Sequence, residues 1–231
     1  MNGIELYKTA IVIPLYNEER VIKDILTELK QMYPHFAIIV VNDASTDNSA
    51  KEACVKGVFT LKHTINLGQG AALQTGIEYA KDLGCTYVVT MDSDGQHNPH
   101  DIKPFIEELE KGEYDIILGS RFLGTTENMP KRKKYLLKAS RFFTWITTGI
   151  WLTDSHNGFR AINIKNFPNF EITQNRMAHA SEIISIVENL KMRYKEMPCH
   201  IRYTDYTLQK GQSMWNSINI ILDYFIGSLR K

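Results

Sequence analysis

The apolar run Val88-Val89-Thr90-Met91 stops at Asp92-Ser93-Asp94-Gly95-Gln96-His97, which carries two carboxylates spaced i, i+2. Residues two apart on a strand point the same way. At the carboxyl end of such a strand, Asp92 and Asp94 would converge on one hard cation, and oxygen ligands of this kind suit Mg²⁺ or Mn²⁺. A cation held by one or two carboxylates takes its other ligands from substrate phosphates and offsets charge on a departing phosphate. An isolated Asp-Ser-Asp-Gly is more often a plain polar turn. The company of the pair decides between the two readings.

The elements that must position the pair read as alternating strands and helices. Ala10-Ile11-Val12-Ile13 is a short β-branched run of the kind buried in parallel sheets, ended by Pro14. Asn17 then stands as an N-cap, with Glu18 and Glu19 in the first turn of a helix that stops at Tyr33-Pro34. Ala37 to Val41 is a second strand, emptying into Asn42-Asp43 and a helix through about Lys56. Val58 to Leu61 is a third, and a helix from Gly70 to Leu83 carries small residues for close packing. Thr86 to Met91 feeds the aspartates, and Pro99 opens a helix through Leu109. Asp115 to Leu118 returns as a strand ending at Gly119-Ser120-Arg121. This is the pattern of a doubly wound α/β sheet, in which ligands sit at the carboxyl ends of strands. Asn17, Asp43, Asp92, Asp94 and Arg121 all fall at such ends.

Beyond Arg121 the pattern changes. Pro130-Lys131-Arg132-Lys133-Lys134 opens a helix running towards Trp151, and Asp154 to Ala161 is a polar loop turning into a strand. The basic cluster, followed by Lys138 and Arg141, is either a solvated helix start or a contact for an anion or a membrane surface. A helix spans His179 to Lys191, and short strands lie near Tyr194–Met197 and Ile201–Tyr203. A last amphipathic helix, Met214 to Leu229, can pack on the sheet, form a homodimer interface or lie in lipid headgroups.

The 231 residues fit one α/β domain, and a net charge of +1 excludes a general polyanion binder such as a nucleic-acid protein. Cys54, Cys85 and Cys199 lack metal-ligand spacing and read as small apolar groups in a reducing compartment. Neither a signal peptide nor an uninterrupted apolar run of roughly 18 residues is visible. A cytoplasmic protein is the expectation, peripheral on the membrane face if the basic cluster meets lipid.

Six motifs in order carry a resemblance: Pro14-Leu15-Tyr16-Asn17-Glu18, Asn42 to Asp47, Asn66 to Ala72, Asp92 to His97, Gly119-Ser120-Arg121 and Gly158-Phe159-Arg160. Together they resemble the family 2 glycosyltransferases of GT-A fold, and most of all the dolichyl- or polyprenyl-phosphate mannosyl- and glucosyltransferase branch. The resemblance covers about residues 9 to 213 of one domain: a nucleotide-sugar half over 1–121, an acceptor half over 122–213, and the helix 214–231. It implies that Pro14, Tyr16, Glu18 and Asp43 line the nucleoside pocket, with Asn17, Gly70 and Ser93 completing the donor site. Asp92, Asp94 and Gln96 would hold Mg²⁺ or Mn²⁺ and the donor diphosphate. Arg121, Arg132 and Lys134 would hold the acceptor's phosphate. Asn42 departs from the family, which usually has an aspartate there.

The implied reaction is an inverting hexose transfer from a nucleoside diphosphate sugar in one in-line displacement. A lipid phosphate is already an anion and needs positioning, for which arginine's planar fork is suited, hence the role given to Arg121. A hydroxyl acceptor, as in surface-polysaccharide assembly, needs a base within hydrogen-bond reach, and His179 and Glu182 are the candidates. Ala178-His179-Ala180-Ser181-Glu182 is not the acidic pair common in hydroxyl-transferring relatives, which favours the phosphate. A nucleotide-sugar binder without turnover is a third reading, opposed by the intact Asp92, Asp94, Gln96 and Arg121.

Overall fold

Short β-branched runs with apolar residues on both sides pair into a mixed sheet sandwiched between helices. The computed structural model describes residues 7–176 and 178–203. Its strands are β1 (Thr9–Leu15), β2 (Ala37–Asn42), β3 (Phe59–Lys62), β4 (Tyr87–Thr90), β5 (Ile116–Glu127), β6 (Arg160–Asn163) and β7 (Tyr194–Arg202). They lie in the order β3-β2-β1-β4-β6-β5-β7. Every pairing is parallel except those of β6, which runs antiparallel to β4 and β5.

Side-chain alternation on β1 explains the layering. Ile11, Ile13 and Leu15 meet α1 (Ile22–Met32) and α4 (Ile102–Glu110) on one face. Ala10 and Val12 meet α3 (Gln69–Asp82) and α6 (His179–Asn189) on the other. The remaining helices are α2 (Ser49–Glu52) and α5 (Lys131–Thr148). β1 and β4 are neighbours whose chains then lead to opposite edges of the sheet, so the crevice at their carboxyl ends is the switch point where doubly wound sheets bind ligands. Because β6 is reversed, its first residue, Arg160, is delivered to that same crevice opposite Thr90.

Several boundaries differ from the sequence expectation. Pro14 does not end β1: it pairs with Val41, beyond the last β1–β4 pair at Val12 and Thr90, so its missing N–H costs no bond to β4. Asn17 is not a cap. Its φ of +55° turns the chain away, its side-chain oxygen accepts from the Thr46 N–H, and α1 begins only at Ile22 without a side-chain cap. The helix expected through Lys56 stops at Glu52, and a turn with Gly57 at φ +82° leads into β3. β5 does not stop at Arg121. It runs on to Glu127, but its pairing with β7 breaks between Ser120 and Thr125, a bulge that lifts Arg121 out of the ladder. The two short C-terminal strands are one, β7. The amphipathic helix expected over Met214 to Leu229 lies outside the described residues.

Candidate active site

Asp92 and Asp94 do not stand on β4, which ends at Thr90, so the strand argument for their convergence does not apply. They lie in the turn that follows, with Gly95 at φ +75°, and are close enough to perturb one another. Asp92 is braced from both sides: Gln69 Nε2 donates to Oδ1 at 2.7 Å and His97 Nε2 to Oδ2 at 3.3 Å. Gly158 lies directly beneath, where a Cβ would come within 2.5 Å of Oδ2. Thr90 Oγ1 in turn fixes the Gly158 carbonyl at 2.7 Å. His97, tilted over Phe159 with centroids 5.4 Å apart, is thus packed beneath the pair, and its Nδ1 is buried without a partner among the described residues.

The two carboxylates are driven apart in acidity. Burial pushes Asp92 up, but the hydrogen bond and charge of His97, with smaller help from His179 and Arg160, take it down to about 2. Burial and then the charge on Asp92 push Asp94 up to about 6, with Glu18 adding to the rise. Among the described residues Asp94 Oδ1 accepts from the Gln96 N–H, at 3.0 Å. Two half-buried carboxylates under mutual repulsion are a donor set that a divalent cation would relieve. Among the described residues no group of three or more His, Cys, Asp or Glu side chains could hold a metal. The pair therefore suits an ion that completes its shell with substrate phosphate oxygens and water, as Mg²⁺ does.

The other expected donor residues fall into two sets. Tyr16 is exposed just past β1, and Glu18 and Ser93 are buried near the pair. Asp43 instead faces the protein: it accepts from the Leu67 N–H at 2.8 Å, the Gly68 N–H at 2.7 Å and His63 Nδ1 at 2.7 Å. Both its oxygens are spent on shaping the loop before α3. Gly70 is a packing glycine, since a Cβ there would meet the Gln174 carbonyl oxygen at 1.9 Å. Pro14 is buried inside β1.

The acceptor-side residues behave differently from expectation. Arg121 is buried, with Nε to Asp154 Oδ2 at 2.6 Å, Nη1 to the Tyr203 hydroxyl at 3.1 Å and Nη2 to the His156 carbonyl at 2.9 Å. Its fork is filled by the chain itself. Asp154 and Tyr203 hold its pKa well above the ordinary value against the pull of burial. Glu182 is similarly committed: its oxygens accept from the Thr173 N–H and hydroxyl and from the Gln174 N–H at 2.8 Å. His179 donates from Nδ1 to the Arg176 carbonyl at 2.8 Å, and burial takes its pKa down to about 4. Lys134 is exposed on the first turn of α5, and the side chain of Arg132 is outside those described.

Sequence reasoning passed over two contributors, Gln69 and Asp154, and carried a third, Arg160, as part of a motif. Gln69 sits within a quoted motif, yet nothing in its spacing pointed to Asp92. Asp154 is the counter-ion that occupies Arg121. Arg160, buried next to Asp92, carries a buried Nη1 without a hydrogen-bond partner among the described residues; burial lowers its pKa to about 10 while Asp92 and Asp154 pull it back.

With this geometry in hand, similarity to known proteins identifies the group. The profile for glycosyl transferase family 2 matches residues 10–169. The UDP-N-acetylglucosamine–dolichyl-phosphate N-acetylglucosaminyltransferase of Methanococcus voltae is 32% identical over 225 residues, covering 88% of this chain and 89% of that one. The polyprenol monophosphomannose synthase of Mycolicibacterium smegmatis is 30% identical over 162 residues, 67% of this chain and 61% of that one. Among solved structures, Mycobacterium tuberculosis glucosyl-3-phosphoglycerate synthase in complex with Mn²⁺ and UDP-glucose superposes with a TM-score of 0.70 at 13% identity, over 96% of this chain and 78% of that one. A mixed sheet with an acidic turn at its switch point, matched by that profile and by those relatives, makes this chain a member of glycosyl transferase family 2 with the GT-A fold.

Proposed function

We propose that the enzyme moves a hexose from a nucleoside diphosphate sugar to a polyprenyl phosphate at a membrane face, with inversion and with Mg²⁺ or Mn²⁺. The observation that carries this reading is the half-buried, mutually repelling pair Asp92 and Asp94 at the crevice between β1 and β4. The names of the relatives and the Mn²⁺ and UDP-glucose of the structural neighbour support it. Asp92, Asp94 and Gln96 would hold the cation, which when bound stabilises charge on the departing diphosphate.

The chain's own residues do the rest. Tyr16 offers an exposed ring at the crevice edge for the nucleoside base, with Glu18 and Ser93 beside the diphosphate end. Pro14, Asn17, Asp43 and Gly70 serve the donor by fixing the loops around it. Residues 1–121 would thus serve the donor and 122–213 the acceptor within one catalytic domain. A phosphate acceptor needs no proton removed, and the full occupation of Glu182 by Thr173 and Gln174 supports an acceptor of that kind. Arg132 and Lys134 would meet that phosphate directly. Arg121 would act from behind, as a positioning residue that sets the loop 154–156.

The test is a transfer assay with Mn²⁺ or Mg²⁺, a panel of radiolabelled sugar nucleotides, and either short polyprenyl phosphate or free saccharides. Organic-extractable label is the expected product. Water-soluble oligosaccharide would replace the reading with a hydroxyl acceptor, and tight donor binding without product would replace it with a binding protein.

A further inference from the structure

Helix α5 turns large apolar side chains outwards. Among its described side chains, Thr144 and Thr148 are buried and bond back to the carbonyls of Ser140 at 3.0 Å and Thr144 at 2.7 Å. The outward face is apolar and largely aromatic. Tyr135 is 73% exposed, Phe142 53% and Ile146 63%, with Trp145 and, past the helix end, Trp151 also exposed. Phe142 lies tilted against Trp145 at 5.7 Å, Trp145 meets Trp151 edge-on at 5.6 Å, and the Arg141 guanidinium caps Trp151 at 4.5 Å. Helices of water-soluble domains put their apolar face inwards, and an apolar patch left outward marks an interaction surface.

Charge decides what covers it. Residues 131 to 141 contain six basic side chains and no acidic one, in a chain of net charge +1. A second copy would bring six cations against six. The chain's own residues 204–231 carry Asp205 and Asp223 against Lys210, Arg230 and Lys231, and so have no acidic excess to offer. An anionic bilayer answers both features, taking aromatic rings at headgroup depth and attracting the basic residues. Among the described residues no helix is long and apolar enough to cross a membrane, so the contact is interfacial.

We propose that the outward face of α5, with Trp151, docks on an anionic lipid surface. α5 leaves the sheet from the carboxyl end of β5, on the edge that also carries Asp92 and Asp94. Docking there holds the catalytic crevice beside the bilayer. The purpose rests on the proposed lipid-linked acceptor, but the binding is independent of it.

The experiment is flotation of the full chain with phosphatidylcholine vesicles, with or without phosphatidylglycerol, containing no polyprenyl phosphate and no sugar nucleotide. Wild type should partition at least about tenfold more strongly to the anionic vesicles. The variant Phe142→Ser/Trp145→Ser/Ile146→Ser should lose at least about tenfold of that binding. It should keep the wild-type melting temperature and keep transfer to short polyprenyl phosphate in detergent. Tyr194→Ser, an exposed aromatic on β7, should bind like wild type. Unchanged vesicle binding by the triple variant overturns the proposal, as does absence of binding by wild type. A triple variant that only dissociates a dimer overturns it in favour of a second copy. Should the triple variant not fold, quenching of Trp145 and Trp151 by brominated lipid in Trp215→Phe takes its place, and no quenching overturns the proposal. Vesicle binding without transfer to any acceptor would sink the proposed reaction and leave the docking face standing.

Discussion

Replacing Arg121 by methionine strips Asp154 of its counter-ion while keeping most of the side-chain volume. The Arg121 Nε to Asp154 Oδ2 contact of 2.6 Å joins side chains that are 7% and 1% exposed. Leaving such a carboxylate unpaired in the interior costs about 3–5 kcal/mol. The bonds to the Tyr203 hydroxyl and the His156 carbonyl go with it. For a chain of this size each kcal/mol moves the melting temperature by about 2–4 °C, so Arg121→Met should melt about 6–20 °C lower. Thermal unfolding by circular dichroism at pH 7 reads this directly. Arg121→Met/Asp154→Asn should recover part of the loss, since the amide oxygen can still accept from the Arg121-position N–H and no charge is stranded. The reasoning fails if Arg121→Met melts with the wild type and loses only transfer to a phosphate acceptor. That result would make the guanidinium a ligand clamp.

Three further outcomes follow from the same contacts. Burial and the charge on Asp92 push Asp94 up to about 6 against 3.8 for the free side chain, so the folded state binds its proton more tightly, while His156 and His179, taken down to about 4 by burial, slope the total stability the other way; the metal-free stability of wild type relative to Asp94→Asn should therefore fall by up to about 3 kcal/mol as pH rises from 4 to above 6, and saturating Mn²⁺ should offset that loss in urea titrations. Gly158→Ala drives a methyl into Asp92 Oδ2 and should weaken Mn²⁺ binding about tenfold in calorimetry, the size of effect seen when a ligand's support is removed; undiminished affinity would mean Asp92 is no ligand. Glu182→Gln should cost about 1.5–3 kcal/mol of stability while turnover falls less than tenfold, whereas a general base would cost about 10²–10⁴-fold.

How much of this was legible in the sequence depends on the range of the forces involved. β1, β2 and β4 announced themselves because strands buried on both faces are continuous apolar runs, and α1 and α4 because their apolar residues recur at helical spacing. The reversal of β6 has no local signature: only pairing with β4 and β5 tells its direction. The bulge at Arg121 is hidden for the same reason, and with it the partner that fills the guanidinium. Local motif logic placed Asp92 and Asp94 in one site through a strand geometry that the chain does not adopt. It read Asp43, Arg121 and Glu182 as ligand groups, where long-range contacts with Gly68, Asp154 and Thr173 bind them to the protein. The basic start of α5 was visible as charge. The outward placement of Phe142, Trp145 and Ile146 required knowing which side met the protein.

The central claim is that Asp92 and Asp94 grip the cation to which the donor diphosphate is tethered. Its most direct measurement is transfer of labelled hexose to polyprenyl phosphate by Asp94→Asn, in Mn²⁺, beside its melting curve. Removing one of two repelling half-buried charges should leave the melting temperature unchanged or higher, while transfer falls by at least about 10³-fold. Transfer at the wild-type rate by a folded Asp94→Asn would contradict the account.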